Sequence, residues 1–234
     1  MPQQAERKAL AKGLKQLNEN MVTLAELSEL AIRKAVDSLT RLDTAGAEEV
    51  FVLDQEVYGL QLEIEKTCGD LIALHAPVAK DLRTVTTSLK ITTDLDRIAR
   101  YAKDIAEITI QFRGRGPDHF RNLGRIPRMA ELTIEMVDTV TQAFLDRNAD
   151  SVRDIEVVDD DVDLLHDEVF HDVVGYMKDG SLEIEAGARY ILVSRYLERI
   201  ADHAVNIGQR IVYMVTGERV PRIRAAERAR RSSL

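Results

Sequence analysis

The positions of the five prolines constrain this 234-residue chain more than any other feature. A proline inside a helix removes a backbone hydrogen bond and costs about 3 kcal/mol, so long helices need proline-free segments. Residues 3–76 and 128–220 are two such segments. Aromatic residues make up only 5% of the chain and tryptophan is absent, which suits helical bundles better than a β-sandwich. The sequence therefore predicts an all-α fold.

Breaks in the apolar pattern divide the two segments into helices. Leu10, Leu24 and Leu42 belong to a series of apolar residues that recur at steps of three and four, as on the packed face of a helix. This first helix ends at a break over Asp43–Gly46, and Gly217 is expected to end the last helix as its C′ residue. Short connections predict antiparallel neighbours. The five later helices are predicted over about residues 47–74, 78–112, 128–146, 150–178 and 182–216.

The two halves of the chain repeat each other. Residues 53–57 match residues 158–162 at a shift of 105, and residues 96–102 match residues 198–204 at a shift of 102. The difference of three falls in the turn between two helices, where an insertion is tolerated. We therefore predict two tandem three-helix bundles related by an internal repeat. Their predicted ranges are residues 1–116 and 128–217, and a basic flexible tail follows over residues 218–234.

The formal net charge of −8 is concentrated in one predicted helix. Residues 154–177 contain nine acidic residues and no lysine or arginine, so the rest of the chain has a net charge of +1. An acidic chain lacks the basic face that general nucleic-acid binding needs, so we expect no nucleic-acid partner. The single cysteine, Cys68, excludes an intramolecular disulfide and a cysteine-based zinc cage. Without a signal peptide or a long apolar run, the chain is expected to be cytoplasmic.

Four carboxylates on the fifth and sixth predicted helices form the main candidate site. Asp159 and Asp163 are four residues apart, as are Glu198 and Asp202, and each pair lies one position beyond the apolar seam of its helix. The two helices are predicted to form an antiparallel hairpin that turns at residues 180–181. In that register Asp159 faces Asp202, and Asp163 faces Glu198.

Carboxylates at such close range repel one another unless a cation compensates. The fifth-helix stripe carries no basic residue and Arg199 is expected to point away from Glu198, so we infer a metal ion. Oxygen ligands suit Mg²⁺, Ca²⁺, Mn²⁺ or iron, whereas a nitrogen from His166 or His203 would favour iron or zinc. The alternative is an acidic face that is solvated on both helices. Candidate ligands of second rank are Asn206, His166, Asp96, Asp104 and Asp54.

The first repeat lacks two of the four carboxylates. The equivalent positions are Asp54, Tyr58, Asp96 and Arg100. We expect Arg100 to pair with Asp54 in place of a metal ion, while Asp104 lies where it would supplement Asp96. This first site is therefore predicted to be degraded or empty.

Three motifs resemble those of the PhoU family of phosphate-signalling regulators. Residues 77–83 contain a proline turn followed by Asp-Leu-Arg, and residues 198–207 read Glu-Arg-Ile-Ala-Asp-His-Ala-Val-Asn-Ile, which includes the family's ExxxD signature. The ending Val215–Glu218 also matches, so the resemblance covers about residues 14–218. Tyr58 and Arg100 depart from the acidic pattern of the family, which puts an N-terminal metal site in doubt.

The resemblance implies a particular set of properties. These are two three-helix bundles, surface metal clusters on the E/DxxxD motifs, homodimerisation and no catalysis. They also include repression of phosphate uptake, through contact with the ATPase of a Pst-type phosphate transporter and with a PhoR-type sensor histidine kinase. Any membrane association would then occur only through these partners. The expected metal is iron, zinc, magnesium or manganese.

Other functions find weaker support in the sequence. A ferritin-like di-iron oxidase needs two ExxH motifs, and Glu168-x-x-His171 is the single example. A histidine phosphotransfer protein would use His203, although a half-buried structural histidine is the simpler interpretation. The main alternative is a helical scaffold or adaptor that binds no metal. The tail over residues 218–234 carries six arginines and two glutamates, which favours a solubilising end over contact with a membrane surface or a partner.

Overall fold

The computed structural model describes residues 2–113 and 124–219. Within these ranges the protein contains six long helices and no strand, which confirms the predicted fold class. The predicted loop and tail fall largely on residues 114–123 and 220–234, which lie outside the described residues. The helices are α1 (Pro2–Arg41), α2 (Thr44–His75), α3 (Ala79–Gln111), α4 (Arg125–Asp146), α5 (Ile155–Lys178) and α6 (Ile184–Thr216).

The six helices form two three-helix bundles. Helices α1, α2 and α3 pack on one another, as do α4, α5 and α6, and the bundles meet where α1 contacts α4 and where α3 contacts α6. Apolar side chains fill the junction, with Met21 from α1, Leu95 from α3, Phe144 from α4 and Ile207 from α6 lining one small space. Two of the three pairs of equivalent helices thus pack against each other, α1 against α4 and α3 against α6.

Local side-chain chemistry moves the start of α2 away from its predicted position. The Asp43 side chain accepts a hydrogen bond from the backbone N–H of Ala45 at 3.1 Å, which caps the helix so that it begins at Thr44 rather than near residue 47. Gly46 fits here because a Cβ atom would lie 2.7 Å from both Asp43 Oδ2 and Ser38 Oγ. The residues interpreted as a break are therefore a cap.

Two further helix starts differ from the prediction. Helix α4 begins at Arg125 because Pro127 lies in its first turn, where proline costs no hydrogen bond. Helix α5 begins at Ile155, and a short 3₁₀ turn occupies Asp150–Val152 where the sequence predicted the start of a helix. This turn lets Val152 and Ile155 pack beside Gly208 of α6, where a Cβ atom would lie 3.4–3.5 Å from them.

The C-terminal end of α6 is held by the first repeat. Gly217 adopts the left-handed conformation at φ +82°, which confirms its predicted role as the residue that ends the helix. Arg83 of α3 donates a hydrogen bond from Nε to the carbonyl oxygen of Met214 at 3.4 Å. A cation near exposed helix carbonyls is favourable, so the arginine of the Asp-Leu-Arg motif stabilises the end of α6.

No helix in the described ranges combines the length and the apolar character that a membrane span requires.

Candidate functional site

The α5–α6 hairpin carries the predicted carboxylate cluster. Asp159 and Glu198 are buried, with 5% and 8% of their surface exposed, while Asp163 and Asp202 are half-buried. A solvated acidic face, which was the alternative interpretation, would leave all four exposed. The cluster is instead partly inside the bundle, and its charges are correspondingly harder to accommodate.

Glu198 is the most perturbed carboxylate of the cluster. Burial is the largest cause that raises its pKa, to about 7, and the negative charges of Asp202 and Asp163 add to this effect. Arg195 opposes the shift by donating from Nη1 to Glu198 Oε1 at 2.7 Å. The buried Oε2 atom accepts no hydrogen bond, and Nε of Arg199 lies 4.0 Å from it. The predicted proximity of Asp163 and Glu198 is thus reflected in their electrostatic coupling.

Arginines of α6 compensate part of the negative charge, contrary to the prediction. Arg199 does not point away from the cluster, since its Nη1 atom lies 3.6 Å from Asp202 Oδ2. Arg195 pairs with Glu198, one turn along the same helix. A long arginine side chain can reach a residue three positions away on the same helix. The sequence position of these arginines therefore did not exclude ion pairs with the cluster. These arginines therefore supply part of the compensation that the sequence analysis assigned to a metal ion.

The cluster is not a preformed metal site. In the described ranges, no three side chains of histidine, cysteine, aspartate or glutamate come close enough together to hold an ion. The chemistry of the donors nevertheless fits a hard cation, because they are carboxylate oxygens and Glu198 Oε2 is buried without a hydrogen bond. Binding would require Arg195 and Arg199 to turn away and the carboxylates to converge.

The two histidines near the cluster already have other contacts. His166 Nδ1 lies 3.0 Å from Ser194 Oγ, and burial, followed by the charge of Arg195, lowers the pKa of His166. A neutral imidazole is the form that binds metals, so His166 keeps its second rank as a candidate. His203 Nδ1 lies 2.9 Å from Asp94 Oδ1 on α3, so this nitrogen is engaged between the bundles.

The first repeat is neutralised by two ion pairs, and one of them differs from the prediction. Arg100 pairs with Asp96 on its own helix, at 2.8 Å, and not with Asp54. Lys103 takes the predicted place of Arg100, with Nζ 2.9 Å from Asp54 Oδ2. Burial is the main cause that raises the pKa of Asp96 and of Asp104, and the neighbouring cations oppose it. The first repeat thus pairs its two carboxylates Asp96 and Asp54 with internal cations, and it has Tyr58 and Arg100 where the second repeat has Asp163 and Asp202.

A buried ionic network between α3 and α6 was missed by the sequence analysis. Asp94 is 4% exposed and contacts two residues of α6, His203 at 2.9 Å and Arg210 Nη1 at 2.7 Å. The ring of Tyr101 stacks on those of Tyr196 and His203, with 5.9 Å between centroids in each case. The sequence did contain a signal for this network, because Asp94 lies on the apolar face of α3. A buried charge there needs a partner on a neighbouring helix.

Comparisons with known proteins agree with the two-repeat fold. The sequence profile of the PhoU domain matches the chain twice, over residues 21–109 and 126–211. The protein of Clostridium acetobutylicum named phosphate-specific transport system accessory protein PhoU homolog is 30% identical over 92% of this chain and 97% of its own length. The protein of the same name from Synechocystis is 34% identical over 92% of this chain and 94% of its own length.

Solved structures resemble this fold closely. The crystal structure of the phosphate transport system regulatory protein PhoU from Streptococcus pneumoniae has a TM-score of 0.83 at 28% identity, covering 91% of this chain and 99% of its own. That of PhoU from Pseudomonas aeruginosa has a TM-score of 0.84 at 27% identity, covering 89% and 99%.

The fold and the repeat therefore define a two-repeat helical-bundle protein. The chain belongs to the PhoU family. The double match also confirms the predicted internal repeat.

Proposed function

We propose that this chain is a non-catalytic regulator of phosphate uptake and of phosphate-starvation signalling that binds metal ions in its second repeat. The observation that carries the metal assignment is the buried carboxylate Glu198, which is coupled to Asp163 and Asp202 and has one oxygen without a hydrogen bond. A cation that replaces the arginine contacts would relieve this repulsion. Membership of the PhoU family supports the regulatory role.

The proposed ligands are Asp159, Asp163, Glu198 and Asp202. A divalent or trivalent ion would supply positive charge that favours all four ionised forms, and carboxylate ligation suits iron, magnesium or manganese. Zinc becomes a candidate if His166 contributes its neutral imidazole. The role of the ion is structural and electrostatic, because it would set the charge and rigidity of the α5–α6 hairpin.

The proposed partners follow from the relatives. The curated relatives from Clostridium acetobutylicum and Synechocystis are named accessory proteins of a phosphate-specific transport system. We propose that this chain contacts the ATPase of a Pst-type phosphate transporter and a PhoR-type sensor histidine kinase in the cytoplasm. In this proposal it acts as a homodimer and represses phosphate uptake when phosphate is plentiful.

A second candidate function is that of an adaptor that needs no metal. The observation in its favour is the set of contacts from Arg195 to Glu198 and from Arg199 to Asp202, which already neutralise part of the cluster. This adaptor has the same fold and partners as the metal-binding regulator. The two candidates differ in what the cluster binds.

Metal analysis distinguishes the two candidates. The full chain is stripped with a chelator, dialysed against iron, manganese, zinc or magnesium, and analysed for bound metal by mass spectrometry. We expect stoichiometric metal and a raised melting temperature for the native chain, and loss of both effects in Asp202→Asn. Asp138→Asn, an exposed change on α4, serves as the matched control and should bind metal normally. Absence of bound metal under all loading conditions would support the adaptor.

A genetic experiment tests the regulatory role separately. Deletion of the gene should derepress phosphate uptake and expression of phosphate-starvation genes in phosphate-rich medium. The native gene and the Asp138→Asn variant should both restore repression. Unchanged uptake after deletion would contradict the regulatory proposal, whatever the metal content of the purified protein.

A further inference from the structure

A cleft of about 730 Å³ lies along the seam between α3 and α6. Lys90 and Thr93 line it from α3, while Asn206, Arg210 and Tyr213 line it from α6. From Asn206 to Tyr213 the helix rises by about 10 Å, at 1.5 Å per residue, so the cleft is elongated. Its volume falls within the range of about 300–1,000 Å³ that is typical of small-molecule sites.

The lining of the cleft is cationic although the chain as a whole has a net charge of −8. Lys90, Arg210 and Arg219 contribute positive charges, and the described lining residues include no carboxylate. Asp94 lies behind Arg210 and neutralises one of these charges. Lys90 is exposed and has no ion pair with another described residue, so its ammonium group is available to a ligand.

Polar and aromatic groups accompany these cations. Asn206 offers a side-chain amide from a half-buried position, and Tyr213 offers a hydroxyl group and a ring face. The guanidinium carbon of Arg219 lies 5.8 Å from the centroid of the Tyr213 ring, which holds this cation at the edge of the cleft. Guanidinium, ammonium and amide donors are the groups that bind phosphate oxygens.

We infer that this cleft binds an extended polyphosphate anion, either a free oligophosphate or the triphosphate chain of a nucleotide. The cations lie on α3, in the last two turns of α6 and beyond its end, so a chain of linked phosphates can contact more of them than a single orthophosphate can. A cleft of this length also leaves room for several phosphate groups. The inference goes beyond the proposed function, because it requires neither a bound metal nor a transport partner.

Isothermal titration calorimetry of the full chain tests this inference directly. The titrants are sodium tripolyphosphate, ATP and orthophosphate, all with a chelator present so that binding cannot be mediated by a metal ion. We expect tripolyphosphate to bind with one site per chain, more tightly than orthophosphate by about tenfold or more, and with an affinity that falls as salt is added. Equal affinities for tripolyphosphate and orthophosphate would overturn the assignment of an extended anion.

Charge-reversal variants locate the binding site. Lys90→Glu and Arg219→Glu should each weaken tripolyphosphate binding by about tenfold or more, because each removes a cation and adds a repulsive charge. Lys80→Glu is the matched control, since Lys80 is an exposed lysine of α3 outside the cleft, and it should change the affinity less than about twofold. Equal losses in all three variants would overturn the site and indicate a non-specific effect of net charge.

The comparison of ATP with tripolyphosphate identifies the source of the phosphate chain. Tighter binding of ATP, lost in Tyr213→Ala, supports a nucleotide whose base stacks on the ring. Tighter binding of tripolyphosphate supports a free oligophosphate. Circular dichroism of each variant establishes that it is folded, and failure of both anions to bind the folded native chain would contradict the inference.

Discussion

At the scale of single residues, Glu198 is held in surroundings that disfavour its charge. Burial and two neighbouring carboxylates act against one close contact from Arg195, and the balance raises the pKa of Glu198 to about 7. Such a group is protonated more readily in the folded chain than in the unfolded chain. The stability of the protein must therefore depend on pH through this one side chain.

The pH dependence has a definite sign in the metal-free protein. The pKa of Glu198 lies near 4.5 in the unfolded chain and near 7 in the folded chain, so its stabilising effect is complete below about pH 4.5 and is lost as pH rises to about 7. Glu198→Gln should remove this loss. The free energy of unfolding of the variant, compared with that of the native chain, should therefore be higher at pH 8 than at pH 4.5 by about 1–3 kcal/mol. Urea unfolding at both pH values measures it, and Glu131→Gln on α4 is the exposed control. Identical pH profiles for the native and Glu198→Gln chains would contradict the assignment.

The Asp94 network also makes a residue-scale prediction. Arg210→Ala leaves the buried Asp94 carboxylate with His203 as its remaining partner and should cost about 2–4 kcal/mol in unfolding free energy. Arg128→Ala removes an exposed arginine that pairs with exposed Glu131, and should cost less than about 1 kcal/mol. Chemical denaturation of both variants provides the comparison, and similar losses would mean that Asp94 does not depend on Arg210.

At the scale of helices, periodicity and turn residues predicted most of the architecture. The helix number, the internal repeat and the C-terminal role of Gly217 were correct, because each depends on a pattern local to one segment. The start of α2 was misplaced since Asp43 is a capping residue, and capping and loop residues have similar composition.

The candidate site was predictable only in part, for a physical reason. The coupling of Asp163 to Glu198 follows from helical spacing within a hairpin. Arg100 pairs with Asp96 instead of Asp54, and this depends on side-chain rotamers, which spacing does not determine. The contact of Asp94 with Arg210 joins different bundles, and no periodicity within either bundle predicts that register.

Two glycines allow a comparison between the end of a helix and its interior. Gly217→Ala should destabilise the protein by about 1 kcal/mol, because φ is +82° there, and a Cβ atom would meet its nearest neighbour at an ordinary 3.7 Å. Gly69→Ala lies inside α2, has open space around it, and should instead stabilise the chain by about 0.5–1 kcal/mol. Thermal unfolding of the two variants provides the test. The same sign for both changes would contradict the assigned cap.

At the scale of the whole molecule, the two bundles share contacts that neither could make alone. Helix α3 packs on α6 and α1 packs on α4, while Arg83 and Arg147 reach across to Met214 and Thr84. The shared junction contains both apolar packing and buried ionic groups. We therefore expect the halves to unfold together, although each has its own core.

Core truncations in opposite halves test this cooperativity. Leu24→Ala in α1 and Met136→Ala in α4 remove fully or nearly fully buried side chains and should each cost about 2–5 kcal/mol. Each variant should show a single unfolding transition with a lower midpoint, measured by circular dichroism. Hydrogen exchange should increase in peptides from both halves. A variant that exposes only its own half to exchange would show that the bundles unfold independently.

The two repeats share one architecture but differ in charge. Equivalent positions carry Tyr58 and Arg100 in the first repeat but Asp163 and Asp202 in the second. If both repeats carried the same charges, a docking protein would meet two chemically similar faces. The difference in charge means that a charged partner can distinguish the first repeat from the second and bind one in preference to the other.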